Sequence, residues 1–141
     1  VPKQTESYIS KNSGIEFSDD GFDILVQSVY TSDDSIFWEY KDKDYEKKIS
    51  VMFMDSRELK IDEYLNKFDL IFIDGGHTYS IVENDSNKAF KMVKPRGIIL
   101  WHDYVPGKTS DKDVVKYLNN ISKDKKIFHI ESTSLCYFNN I

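Results

Sequence analysis

Two apolar runs, Leu70-Ile71-Phe72-Ile73 and Ile98-Ile99-Leu100-Trp101, each stop on acidic and imidazole side chains. The first ends in Asp74-Gly75-Gly76-His77 and the second in His102-Asp103-Tyr104. Consecutive apolar residues over this length suit strands buried on both faces of a parallel sheet. Between the runs, Tyr79, Val82, Ser86, Ala89 and Val93 step by three and four, the spacing of one helix face. Pro95-Arg96-Gly97 breaks that helix before the second run. The stretch from Phe68 to Tyr104 therefore reads strand, helix, strand. In open parallel sheets, ligands bind beyond the carboxyl ends of the strands. If the two strands are neighbours, both polar clusters face one crevice.

The flanking segments continue the alternation. Phe22–Tyr30 reads as a strand rich in β-branched and apolar residues, ended by Thr31-Ser32-Asp33-Asp34-Ser35. Ser35–Lys47 follows as a helix with Phe37, Trp38, Tyr40 and Tyr45 as its apolar contributors. Ile49–Met54 is the next strand, closed by Asp55-Ser56, and Arg57–Asn66 a short helix. Ser110 or Asp111 caps a helix that runs through Asn120. Ile127–Glu131 and Leu135–Asn139 are strands separated only by Ser132-Thr133-Ser134. A parallel return needs a crossover of about a dozen residues, so this pair is an antiparallel hairpin. Residues 1–20 are weakly patterned, with a short helix around Glu6–Lys11. The sum is one three-layer α/β domain over residues 1–141, mainly parallel, with a C-terminal antiparallel hairpin.

Composition narrows the partners. Hydrophobic residues make up 40% of the 141 residues, enough for a core and too many for a disordered chain. The net charge of -5 lacks the basic face that a nucleic acid or a membrane surface would require. The single cysteine, Cys136, cannot form an internal disulfide, which points to a reducing compartment, the cytoplasm. No apolar run approaches a membrane span and none reads as a signal peptide. A small molecule is the expected partner, and self-association is left open.

The motifs carry a resemblance. IDGGHTY, followed some twenty residues on by GIILWHDY, resembles the class I S-adenosylmethionine-dependent methyltransferases. The likeness is to the branch related to sugar and antibiotic O-methyltransferases and cephalosporin hydroxylase-like proteins. DSREL at 55–59 is similar to that branch's adenine-contacting turn, and the closing hairpin to the reversed final strand of its sheet. The resemblance covers roughly residues 49–141 and implies a Rossmann-like fold with S-adenosylmethionine as cofactor. Such enzymes open with a strand and a glycine-rich loop, and none of the six glycines here forms a G-x-G after a strand. That unit is expected upstream of Val1, or lost. Cofactor binding is accordingly expected to be weak or absent in residues 1–141 alone.

The resemblance also implies roles for residues. Asp74, His102 and Asp103 offer oxygen and nitrogen ligands for a divalent cation, Mg²⁺ in the resembling enzymes. His102 stands where that branch commonly has a second acid, which favours softer metals or none. The competing reading has Asp74 capping the following helix and Asp103 accepting loop N–H bonds. His77 is the candidate general base, with Asp103 beside it, or else a helix cap or a partner of His102. Asp55 and Ser56 would face the adenine, and Asp74 and Gly75 would border the cofactor. Asp33 or Asp34 would accept from the ribose hydroxyls or, on the competing reading, cap a helix. Tyr104 would line an acceptor pocket, Trp101 and Cys136 would be core, and His129 structural.

Two functions from different classes follow. One is an enzyme that moves a methyl group from S-adenosylmethionine to an oxygen of a small molecule, a sugar or glycan precursor. The other is a non-catalytic binding or assembly module with the same fold, which the missing glycine loop favours. A nicotinamide-dependent oxidoreductase would also need a glycine fingerprint and ranks below both.

Overall fold

A computed structural model of the chain describes residues 8–9, 14–17, 22–26, 49–50, 52 and 54–141. Among them are nine strands: β1 (Tyr8–Ile9), β2 (Gly14–Phe17), β3 (Phe22–Val26), β4 (Ile49–Ser50), β5 (Met54–Asp55), β6 (Phe68–Ile73), β7 (Val93–Trp101), β8 (Ile127–His129) and β9 (Cys136–Asn139). Two α-helices, α1 (Tyr79–Met92) and α2 (Lys112–Ile121), complete a mixed α/β fold. The large sheet has the order β4-β2-β3-β6-β7-β9-β8.

The unit read from Phe68 to Tyr104 forms as its pattern requires. β6 and β7 are parallel neighbours, with Leu70 opposite Ile98 and Ile73 opposite Trp101. β3 pairs with the other edge of β6, also parallel. Beyond these three central strands the described pairings are antiparallel: β2 with β3 and β4, and β9 with β7 and β8. The expected mainly parallel sheet is thus confined, among the described residues, to its centre. The closing hairpin forms as expected, with Phe128 opposite Tyr137.

α1 buries the face that its spacing marks, including Val82, Ser86, Ala89 and Met92. It covers one side of the sheet: Phe90 packs 5.9 Å from the ring of Trp101 and 5.2 Å from Phe138. α2 packs on α1 through Tyr117, whose ring lies 5.5 Å from Tyr79. Ile99 and Trp101 on this side are fully buried, whereas Ile98 is 37% exposed. β7 therefore alternates among the described residues, where its sequence reads as buried on both faces.

β7 also begins earlier than expected. α1 stops at Met92, and Val93 is already extended at φ -73 and ψ 136. A helix carried on to Pro95 would drive the proline ring into the carbonyl of Lys91, so the chain leaves the helix before it. The strand then runs through Pro95 with a register shift opposite Phe68 and Leu70.

Three other expectations are corrected. Tyr8–Ile9 pairs antiparallel with Met54–Asp55, not as part of a helix at Glu6–Lys11. The strand expected over Ile49–Met54 is divided: Ile49–Ser50 joins the large sheet and Met54–Asp55 the small one. Arg57–Asn66 forms two short 3-10 turns, Ser56–Glu58 and Asp62–Tyr64, with Leu59 extended between them. The Asp55 carboxylate holds the Arg57 N–H at 2.9 Å and closes the first turn at once. The helix expected at Ser35–Lys47, and the continuation of the first strand past Val26, lie outside the described residues. No helix among the described residues is long and apolar enough to cross a membrane.

Candidate functional site

The carboxyl ends of β6 and β7 meet because the strands are in register. The pairing extends one residue past the strands, where the His102 N–H donates to the Ile73 carbonyl at 3.0 Å. Asp74 and His102 are thereby brought side by side, and Asp103 follows. Asp103 has φ 67, in the left-handed region that few residues other than Gly, Asn and Asp enter. This backbone turn sets its carboxylate between two imidazoles. Oδ1 lies 2.9 Å from His102 Nδ1, and Oδ2 lies 2.8 Å from His77 Nε2. Asp74 Oδ1 is 3.6 Å from the same His102 nitrogen.

A second carboxylate reaches His77 from the other side. Asp111 Oδ1 is 3.3 Å from His77 Nδ1, and Asp111 is completely buried. Its oxygens also meet Lys108 Nζ at 2.8 Å and the Ser110 hydroxyl at 3.0 Å. Sequence reading gave Asp111 only a capping role. It occupies the cap position of α2, but its side chain caps nothing and turns to His77 instead. The lysine three residues before a buried acid was the available signal.

The charges follow the contacts. The hydrogen bond with Asp103 raises the pKa of His77 above that of an ordinary histidine, against the cost of burial. Burial pushes Asp103 up, but His77 and His102 outweigh it and leave this carboxyl below its ordinary value. Asp74 goes the other way: burial, reinforced by the Asp103 charge, raises it. For Asp74 the nearby imidazoles do not outweigh burial.

The competing cap readings do not describe this geometry. The first N–H of α1, from Tyr79, donates to Asp113 Oδ2 of α2 at 3.1 Å, not to Asp74 or His77. His77 pairs with Asp103 and Asp111 rather than with His102. His102 turns its Nε2 to the Ser134 hydroxyl at 3.1 Å, from the β8–β9 turn, a residue that sequence reading passed over.

Two groups have the ligand spacing of a metal site: Asp74, His102 and Asp103, and His77, Asp103 and Asp111. Each contains one buried atom without a hydrogen bond. In the second it is Asp111 Oδ2, met by the charge of Lys108 Nζ at 2.8 Å. In the first, His102 Nδ1 is a buried atom without a hydrogen bond, although two carboxylate oxygens approach it.

The other expected site residues stand apart. The Asp55 carboxylate is gripped by the Arg57 guanidinium, whose Nε lies 3.0 Å from both oxygens. Arg57 lowers the Asp55 pKa accordingly. Ser56 is 1% exposed, and its carbonyl accepts from Lys88 Nζ. Asp33 and Asp34 lie outside the described residues. Gly75 follows Asp74 and is buried. The Tyr104 hydroxyl donates to Asn119 Oδ1 at 3.0 Å, and its ring lies 5.1 Å from that of His129. His129 holds the hairpin turn through Thr133 O at 2.7 Å. Cys136 is buried, its thiol pushed up to about 11, as befits an inert core residue.

The model of a family described as a methyltransferase domain matches residues 13–104, from the segment before β2 to the end of the HDY cluster. The chain belongs to that family. A comparison with curated proteins finds no match. The methyltransferase match ends on Tyr104, so it includes both strand ends and leaves α2 and the hairpin outside.

Proposed function

We propose that this methyltransferase domain transfers a methyl group from S-adenosylmethionine to an oxygen of a small molecule, such as a sugar or glycan precursor. The observation that carries the reading is the convergence of His77, Asp103, Asp74 and His102 at the carboxyl ends of adjacent parallel strands. That is where open sheets of this kind bind ligands. The proposal includes the full Rossmann-like three-layer sandwich, with helices on both faces of the sheet, in a cytoplasmic protein.

The cofactor supplies the electrophilic methyl group when bound. The residues described fit part of its site: Asp74 and Gly75 border the crevice, while Asp55 is paired with Arg57 at the surface and Ser56 is buried. His77 takes the proton from the acceptor hydroxyl. In the free protein both of its nitrogens contact carboxylates, so the acceptor must displace one, and the longer Asp111 contact yields more easily. Asp103 and Asp111 then stabilise the imidazolium, as a carboxylate does behind a catalytic histidine. Positioning and proton removal are the chain's contributions.

Asp74, His102 and Asp103 fit a divalent cation, because the unbonded Nδ1 and the two carboxylates need a positive charge between them. A cation there would supply charge stabilisation for the acceptor oxygen.

The test is calorimetric titration with S-adenosylmethionine, followed by transfer of labelled methyl to a panel of hydroxylated small molecules. Weak cofactor binding and methyl transfer are expected, with His77→Ala lowering kcat while leaving cofactor affinity unchanged. A chain that neither binds the cofactor nor transfers methyl to any acceptor rules the reading out. The second reading is a non-catalytic module. It is favoured by the Asp55–Arg57 pairing and the burial of Ser56, which leave the adenine turn occupied from within.

A further inference from the structure

We infer that Ser134 is the positioning residue that makes His102 a nitrogen ligand, and that the site consequently prefers a transition-metal dication to Mg²⁺. The inference rests on the proposed cation site at Asp74, His102 and Asp103.

Ser134 sits in the turn between β8 and β9, far along the chain from the cluster. The turn is braced on its own atoms. The Thr133 hydroxyl donates to Ile130 O at 2.7 Å and accepts from the Leu135 N–H at 3.1 Å. The Ser134 carbonyl in turn accepts the Tyr104 N–H at 2.9 Å, tying the turn to the HDY loop. The Ser134 hydroxyl is therefore delivered to His102 Nε2 by two fixed backbones.

Both ring nitrogens of His102 then have assigned tasks. The inferred tautomer has Nε2–H donating to Ser134, which leaves the lone pair on Nδ1 for a cation. That lone pair is buried, lacks a hydrogen bond and faces Asp103 Oδ1 at 2.9 Å and Asp74 Oδ1 at 3.6 Å. In that tautomer the Nδ1 lone pair faces two carboxylate oxygens, and a cation among the three atoms would offset their repulsion. Ligating imidazoles characteristically donate their other N–H to such an outer partner, which fixes tautomer and ring orientation. Two ligands about 2.1 Å from an ion and at right angles stand about 3.0 Å apart. The observed spacings need little rearrangement to reach that.

The ligand chemistry selects the cation. Mg²⁺ prefers an all-oxygen shell, whereas an imidazole with two carboxylates suits Mn²⁺, Fe²⁺, Co²⁺ or Zn²⁺. In the neighbouring cluster of His77, Asp103 and Asp111, Lys108 Nζ already stands 2.8 Å from Asp111 Oδ2 and disfavours a second cation there.

Chelator-treated full chain should be titrated with Mg²⁺, Mn²⁺ and Co²⁺ by calorimetry, with the visible absorption of Co²⁺ as a direct report of nitrogen ligation. Co²⁺ should bind at least about 10-fold more tightly than Mg²⁺. Ser134→Ala should weaken Co²⁺ by about 10- to 100-fold and change its spectrum, and Ser134→Thr, which keeps the hydroxyl, should restore both. His102→Asp should reverse the order in favour of Mg²⁺. Equal or tighter Mg²⁺ binding by the unaltered chain, with Ser134→Ala indifferent, overturns the inference while leaving the cation site standing. If no cation binds, the site itself falls and the inference with it.

Discussion

Asp103 Oδ2 lies 2.8 Å from His77 Nε2, joining the loop after β6 to the left-handed turn after β7. The pair shifts both partners in the direction of charge, His77 upward and Asp103 downward. A histidine with a raised pKa in the fold stabilises it below about 6.5 and ceases to as pH rises through the folded value. An aspartate with a lowered pKa stabilises above about 3.9 and ceases to as pH falls through its folded value. The metal-free protein should therefore be most stable between those limits and lose stability as pH passes through neutrality. His77 is one-third exposed, so solvent screening keeps the effect to roughly 1 kcal/mol or less. Urea titrations of chelator-treated protein from pH 5 to 9 should show that decline, and His77→Gln should flatten it. An equal alkaline decline in His77→Gln would assign the effect to other groups.

Gly97 lies where β7 crosses closest to β6. A Cβ there would stand 2.6 Å from Val93 Cγ2, 2.9 Å from Lys94 O and 3.0 Å from Phe68 O. Two of those neighbours are backbone and cannot swing aside. Gly97→Ala should cost about 1–3 kcal/mol, the usual range for overpacking, and appear as a lowered Tm. A Tm within a degree of the unaltered protein would show that the register shift beside Phe68 absorbs the methyl group.

Much of the central unit was legible in the sequence, and the reasons are local. The spacing from Tyr79 to Val93 and the paired runs at 70–73 and 98–101 depend on periodicity, which a single sequence displays. The convergence of Asp74 with His102 follows from parallel adjacency alone. The assignments that failed needed tertiary information. Arg57–Asn66 has a helical apolar pattern, but Asp55 captures the Arg57 N–H and Leu59 is pulled extended. Asp111 has the composition of a cap, and only the fold reveals His77 beside it. Ser134 is more than thirty residues from His102 in the chain, and nothing in a three-residue serine–threonine turn announces a long-range partner.

Trp101 is fully buried, and its indole N–H has one partner, the Ser86 hydroxyl at 2.9 Å. Ser86 is itself 0% exposed on the inner face of α1. Ser86→Ala removes the acceptor and strands the donor in an apolar core. A buried unsatisfied group of this kind costs about 1–3 kcal/mol. Ser86→Ala should therefore destabilise the protein, although alanine favours helix more than serine does. Trp101→Phe should cost less in the Ser86→Ala background than alone, since the stranded donor goes with it and only the cavity remains. A double-mutant cycle in equilibrium denaturation checks both statements, and additive effects would show that the bond contributes nothing.

Asp74 and Asp103 terminate adjacent strands, and two carboxylates at that separation repel when both are charged. The symmetry of that statement is broken by their partners. Asp103 is held by two imidazoles, while Asp74 stands 3.6 Å from His102 Nδ1 and against the Asp103 carboxyl, and burial raises its pKa. Asp74→Asn should leave the Tm of the metal-free protein unchanged or slightly higher, because it removes the charge that burial disfavours. Asp103→Asn should lower it, because His77 loses its charged partner. Both variants should abolish any rise in Tm on adding a divalent cation, since each removes one of the three proposed ligands. Thermal melts of the two variants, with chelator and with Mn²⁺, separate the effects. Equal destabilisation by both substitutions, with no response to Mn²⁺ in the unaltered protein, would identify the cluster as structural.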